Sequence, residues 1–292
     1  MTQRRLTIII LVLSFLFAIL NVAHGAPKNN KQVVPTPTAM LYDVNSDRVL
    51  YEINANFTIS IASMTKILTV LTVLRANQDL NEVIVVKGRE GSPRIRSGMR
   101  MTRIDLVELT LVSSDNLAAR TLMEHYPGGY NQGIDAANKI AQDLGATNTR
   151  IVEPTGLLAD NRSTVMDLVK LTIEASKHEL FTRFANRERS EIQAEHVSKA
   201  KRIYQWIRGN NTNPFVHESG QIQILSAKTG LTSAAGWCLT MMFSYNGSKY
   251  VMITAGNRTK QDRKKVADML IEKITNYEYR IKITDPDYRL EH

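Results

Sequence analysis

Three short stretches of the sequence carry side chains that could do chemistry together. The first is Ser63-Met64-Thr65-Lys66, inside the run TISIASMTKILTVLTVL. On a helix, positions three apart share a face, so the hydroxyl and the amine can meet. A serine is a poor nucleophile until a base takes its proton. A lysine is such a base only when burial or a neighbouring cation lowers its pKa. Taken alone, the same four residues also read as a capping serine and a lysine that snorkels to the surface. The second stretch is Ser114-Asp115-Asn116. Ser114 could pass a proton, and Asn116 could bond a carbonyl and the lysine; a polar helix end or turn accounts for the same residues. The third is Lys228-Thr229-Gly230, at the end of a β-rich run. A strand-edge lysine beside a hydroxyl can hold a carboxylate, and glycine lets another backbone come close. An exposed strand terminus is the plainer reading. Ser114 lies 51 residues after Ser63, and Lys228 lies 114 after Ser114.

Other chemistries lack their residues. There is no G-x-S-x-G elbow, no H-E-x-x-H and no phosphate loop ending in Lys-Ser/Thr. One cysteine, Cys238 in GWCLTMMF, makes neither a thiolate zinc cluster nor an internal disulfide, and reads as a small buried hydrophobe. The six histidines have no metal-ligand spacing. No metal or organic cofactor is expected.

The elements that must position the motifs follow from periodicity. TAMLYDVNSDRVLYEIN (38–54) reads as a hairpin around Asn45-Ser46-Asp47. The helix that opens at Ser63 comes next. Thr102 with Asp105 predicts a capping box, Gly145 a helix end, and Thr164 with Asp167 another helix start. From about residue 186 the pattern returns to strands, with Asn246-Gly247 between two apolar runs as the clearest hairpin turn. A last helix spans about 261–277. Strands, helices, strands, helix predict an α+β fold: one antiparallel sheet built from both chain ends, flanked by helices, with an all-helical lobe (about 76–186) inserted.

The chain has 292 residues and a formal charge of +9. Arg4 and Arg5, the apolar run Leu6–Val22 and Ala23-His24-Gly25 read as a signal peptide over residues 1–25. Without those two arginines the charge is still +7, which suits an anionic partner such as phospholipid, nucleic acid or cell-wall polymer. Residues 26–36 are a polar lead-in, 37–280 the main domain and 281–292 a short charged tail. The basic stretch 87–103 reads better as a solvated loop than as a polymer guide.

Taken as a set, the S-x-x-K, S-D-N and K-T-G motifs resemble those of the penicillin-binding proteins and class A β-lactamases. IASMTKILTVLTVL, SSDNLAARTLMEHYPGG, VEPTGLLADNRSTVMDLVKL and AKTGLTSAAGWCLTM extend the likeness to the low-molecular-mass serine D-alanyl-D-alanine peptidases. Within these the chain is most similar to the penicillin-binding protein seven, or D-alanyl-D-alanine endopeptidase, type, over roughly residues 37–278. The resemblance implies a β-lactamase/transpeptidase-like fold and a periplasmic enzyme acting on peptidoglycan stem peptides. Ser63 would be the nucleophile, Lys66 its base, kept neutral by burial and by Lys228, and Ser114 the proton donor to the leaving amine. Asn116, Lys228, Thr229, Gly230 and Leu231 would bind substrate, the oxyanion lying between the N–H groups of Ser63 and Leu231. β-Lactam antibiotics would acylate Ser63. Nucleic acid is not an expected partner, nor is a lasting membrane anchor once the leader is cleaved.

A class A β-lactamase deacylates through a glutamate in an E-x-x-x-N loop. Here Glu153 has Leu157 four places on, so the pattern is absent and penicillin is expected to trap the protein. Two other readings stand beside the endopeptidase. A D-alanyl-D-alanine carboxypeptidase shares the motifs, but its branch carries a further C-terminal β-domain, and here only RIKITDPDYRLEH follows the last helix. A β-lactam-binding sensor without turnover is the alternative of another class.

Overall fold

The computed structural model describes residues 37–198, 201–217, 220 and 222–276. The leader, the lead-in and the charged tail read from the sequence lie outside the described residues. All described residues belong to the unit Val34–His292.

The predicted first hairpin is Thr38–Asp43 (β1) and Arg48–Ile53 (β2). Its turn is held by Asp43 Oδ1, which accepts from the N–H groups of Asn45 and Ser46, and by Asp47 at φ 57°. After Ile59–Ser60 (β3), a 3₁₀ turn over Ala62–Met64 leads into α1, Thr65–Arg75. The sequence TKILTVLTVLR is rich in β-branched residues, which disfavour a helix. Packing overrides propensity: every residue from Thr65 to Val73 is buried. The buried threonine hydroxyls are satisfied within the core, Thr72 by Leu68 O (2.7 Å) and Thr69 by Pro154 O (2.7 Å).

The inserted lobe begins with Val83–Val85 (β4) and Arg100–Thr102 (β5). Thr102 and Asp105 form the predicted capping box of α2, Arg103–Leu111. α3 (Asn116–Glu124) and α4 (Tyr130–Asp143) follow, with Gly145 at φ 72° just past the end of α4. Arg162–Ser163 (β6) pairs with β3 and leads into α5, Val165–Ser176, capped by Thr164 as expected. Then come α6 (Glu179–Ala185), β7 (Arg189–Ser198), β8 (Lys201–Asn210), β9 (Gln223–Thr232), β10 (Gly236–Tyr245), β11 (Ser248–Asn257) and α7 (Lys260–Thr275).

β2-β1-β11-β10-β9 form an antiparallel sheet, joined from the two ends of the domain as expected. Asn246 and Gly247 both have positive φ (47° and 80°), which matches the right-handed twist of the β10–β11 hairpin. Helices cover both faces, so β10 is buried along most of its length and largely apolar. Leu239, Met241 and Phe243 pack on Leu270 and Ile274 of α7; Cys238 and Met242 pack with Leu168 and Val169 of α5.

The inserted lobe is not helical throughout, and this corrects the sequence reading. β4 and β5 lie inside it, and β7 and β8 join them in a second sheet of order β4-β5-β7-β8 rather than extending the main one. Strands of three residues are too short to show an alternation, and which sheet a hairpin joins is a long-range choice. Among the described residues no helix is long and apolar enough to cross a membrane.

The 3₁₀ turn and α1 together bridge two cores: Met64 of the turn packs in the cluster beneath the main sheet, while Ile67, Leu68, Val70, Leu71 and Val73 of α1 pack with Leu106, Leu109 and Leu122 of the lobe. Leu71→Ala, in the middle of α1, is expected to cost about 2–5 kcal/mol, read as a lower denaturant midpoint with an unchanged slope.

Candidate active site

Lys66 is fully buried, and its Nζ sits among three oxygens: Ser63 Oγ at 2.9 Å, Asn116 Oδ1 at 2.8 Å and Thr155 O at 2.7 Å. The two carbonyl oxygens can only accept, so each takes an N–H. The third position of a neutral amine is its lone pair, and that faces the Ser63 hydroxyl. Burial lowers the Lys66 pKa to about 7, against the opposing pull of the Glu153 and Asp115 carboxylates. Ser63 itself is half-buried in the 3₁₀ turn, after Ala62 at φ 44°. A left-handed alanine is strained, and the surrounding contacts hold it.

The Ser-Asp-Asn stretch is the tight turn between α2 and α3. Asp115 does the structural work there. Buried, it caps α3 through Ala118 N (3.0 Å), accepts from Ser92 Oγ (2.5 Å) and lies 3.7 Å from an Arg94 nitrogen. Asn116 is thereby the first residue of α3, facing Lys66. Ser114 is half-buried at φ 58°. The turn brings it within two residues of Asn116, but its hydroxyl has no hydrogen-bond partner among the described residues. The basic stretch 87–103 is not simply solvated: Ser92 and Arg94 fold onto Asp115, and Arg103 is buried against Glu82 at 2.7 Å.

Lys228, Thr229 and Gly230 lie on β9, the edge strand next to the 3₁₀ turn. A Cβ on Gly230 would stand 2.9 Å from Ala62 Cβ and 3.0 Å from Ser63 N, so only glycine permits this approach. Leu231 follows, half-exposed, opposite Trp237. Lys228 is buried and donates to Thr229 O at 3.0 Å. Burial first, then the positive charges of Lys66 and Arg263, drive its pKa well below the ordinary lysine value. Burial is the largest cause at both lysines, and at Lys228 the charge of Lys66 adds to it. Cys238 is buried, which pushes its thiol up to about 12 and leaves it the inert hydrophobe the sequence implied.

Several residues at the site escaped the sequence reading. Thr229 Oγ1 donates to Thr212 Oγ1 at 2.6 Å. Arg263 of α7 is buried, reaches Cys238 O at 3.5 Å, and leaves Nε and one Nη without a partner among the described residues. The role of the loop 152–161 is the largest omission, since Glu153 enters the sequence reading only through the E-x-x-x-N pattern it lacks. Glu153 is buried, and both its oxygens are occupied: one by Thr155 N (2.7 Å) and Thr155 Oγ1 (2.6 Å), the other by Gly156 N (2.6 Å) and Asn161 Nδ2 (3.0 Å). Asn161 Nδ2 also reaches Thr65 Oγ1 at 3.1 Å, pinning the loop to α1. The loop delivers Thr155 O to Lys66. The stretch VEPTG held a usable signal, a carboxylate followed by a hydroxyl between proline and glycine, which marks a tight polar turn.

Gly156 sits at φ 85° where a Cβ would lie 1.8 Å from Ala62 O. Gly156→Ala is expected to lose at least about 2 kcal/mol of stability, measured as a drop in thermal midpoint, because backbone must move against backbone.

Residues 26–259 match the family model described as D-alanyl-D-alanine carboxypeptidase. A D-alanyl-D-alanine endopeptidase of Pseudomonas aeruginosa is 34% identical over 258 residues, covering 85% of this chain and 81% of that one. One from Escherichia coli K12 is 34% identical over 227 residues, covering 75% and 71%. Among solved structures, the Streptomyces K15 DD-transpeptidase superposes with a TM-score of 0.73 at 21% identity, over 85% of this chain and 98% of that one, which shows the fold. The chain, with its β-lactamase/transpeptidase-like fold, therefore belongs to the D-alanyl-D-alanine carboxypeptidase family of serine peptidases.

Proposed function

We propose that the protein is a periplasmic endopeptidase that opens D-alanyl-D-alanine cross-links in peptidoglycan through a Ser63 acyl-enzyme. The observation that carries the chemistry is the Lys66 amine, buried and held 2.9 Å from Ser63 Oγ with two carbonyl oxygens occupying its N–H groups. Two relatives at 34% identity that bear the endopeptidase name support the choice of bond. The leader read at residues 1–25 supports export.

Lys66 takes the Ser63 proton as Oγ attacks the D-alanine carbonyl carbon. The oxyanion lies between the N–H groups of Ser63 and Leu231; the closeness of Gly230 to Ser63 N supports that placement. Asn116 aligns the acyl side while its Oδ1 holds Lys66. As the C–N bond breaks, Ser114 relays to the leaving amine the proton that Lys66 took, which returns Lys66 to its neutral form. Thr229, oriented by Thr212, and Lys228 receive the carboxylate beside the scissile bond. Burial and its cationic neighbours disfavour the charge of Lys228, and an arriving carboxylate favours it and is bound as an ion pair. Water then releases the acyl group. β-Lactams acylate Ser63 by the same steps, and the adduct persists, because the hydrogen bonds that occupy both Glu153 oxygens leave it unfit to activate water.

Incubation of the purified protein with a D-alanine-cross-linked muropeptide dimer is expected to yield monomers. Loss of only a terminal D-alanine would make the protein a carboxypeptidase; no product, with penicillin still labelling Ser63, would make it a sensor. Ser63→Ala is expected to remove labelling and turnover together, by at least about a thousandfold. The acylation rate should rise as pH increases through about 7, since only neutral Lys66 accepts the proton and it accumulates above its pKa. A pH-independent rate across that range would exclude Lys66 as the base.

A further inference from the structure

The β7–β8 hairpin carries a face that neither the fold nor the chemistry above uses. β8 is the free edge of its sheet, and Arg202, Tyr204, Trp206 and Arg208 alternate along it on one side. Their cross-strand partners are Val197, Glu195, Gln193 and Glu191. The other side is core only toward the base of the hairpin, where Ile192, Ala194 and Ile207 are buried; Ile203 and Gln205, further along, are exposed. Tyr204 and Trp206 are 57% and 60% exposed, so neither ring is placed there to fill the core. Each acidic residue on this face is shared by two arginines. Glu191 lies 3.5 Å from Arg189 and 3.2 Å from Arg208; Glu195 lies 3.9 Å from Arg100 and 3.6 Å from Arg202. Four guanidiniums against two carboxylates leave the face net positive.

The hairpin, though not this face of it, touches the site through its other side. At the base of β8, Gly209 packs so close to Ser113 that a Cβ would meet Ser113 Cβ at 2.6 Å. At a strand rise of about 3.3 Å per residue, Trp206 and Tyr204 stand roughly 10 and 17 Å along the strand from that point. Thr212, just beyond β8, bonds Thr229.

We propose that this face is a second binding site, for the glycan strand of an anionic cell-wall polymer. The proposal rests on the peptidoglycan reading above. A pyranose offers a ring face of C–H groups, which packs on the negative face of an aromatic ring, and rings two residues apart on an edge strand form a row that a linear polysaccharide can follow. The surplus arginines match carboxylates carried on the polymer. A lipid surface fits less well, because Glu191 and Glu195 stand in the same face and would have to be desolvated beside the rings.

The test is co-sedimentation or fluorescence titration of the full-length protein with peptidoglycan glycan strands stripped of stem peptides by an amidase. Wild type is expected to bind them, and the double variant Tyr204→Ala with Trp206→Ala to bind at least about tenfold more weakly. Arg202→Gln with Arg208→Gln should weaken binding and flatten its salt dependence. Penicillin labelling and cleavage of a soluble muropeptide dimer report folding and the active site, and should stay within about twofold of wild type in both variants. Equal binding of the stripped strands by wild type and the aromatic variant overturns the proposal. So does absence of binding by wild type, or binding instead to vesicles of phosphatidylglycerol and phosphatidylethanolamine. Loss of strand binding in the aromatic variant supports it whether or not the dimer is cleaved, since failure to cleave the dimer bears on the endopeptidase reading alone.

Discussion

The site depends on one costly act, the burial of the Lys66 amine. An ammonium removed from water loses several kcal/mol of solvation, and the protein answers by holding the amine among three oxygens while its pKa falls to about 7. Each oxygen comes from a different part of the chain: the turn before α1, the start of α3 and the loop 152–161. The three must therefore converge for the lysine to be tolerated at all. The same convergence puts its lone pair against Ser63, so what the fold needs and what proton transfer needs coincide.

Convergence at that density leaves little room for side chains, and glycine and strained backbone concentrate there. Gly156 and Gly230 both press on the Ala62–Ser63 backbone, one from the loop and the other from the sheet edge. Ala62 and Ser114, at φ 44° and 58°, occupy a region that L-residues rarely adopt. Such strain survives only where surrounding contacts outweigh it. Asp115 and Glu153 supply many of those contacts, with carboxylates that accept from backbone N–H groups and hydroxyls inside the protein. A carboxylate in this family can invite a reading as a hydrolytic base; here the geometry makes Glu153 a fastener for the loop that carries Thr155.

Two lysines near each other in a dry site set their charges jointly. Burial and the charges of Lys66 and Arg263 disfavour the charged form of Lys228, and an anion bound beside it acts the other way. Carboxylate binding and base strength are thereby linked through one electrostatic field, with Arg263 behind the strand as its fixed part.

Where partners lie close in the chain, the sequence was legible. Ser63 and Lys66, the capping pairs Thr102–Asp105 and Thr164–Asp167, and the Asn246-Gly247 turn all act within a few residues, and local periodicity encodes them. Of the motif residues, Lys66 bonds Ser63 and Asn116, while Lys228 bonds Thr229 O and the Ser114 hydroxyl bonds none of them. Tertiary structure decided the rest. Thr155 reaches Lys66 across 89 residues with a backbone carbonyl, a group every residue has and no side-chain pattern can flag. Thr212, Arg263 and the pairing of β7–β8 with β4–β5 are likewise choices of packing between distant segments. The order of residues determined what chemistry was at hand; how deeply Lys66 was buried, and hence whether it could act as a base, followed only from how the sheet, the lobe and the loop closed around it.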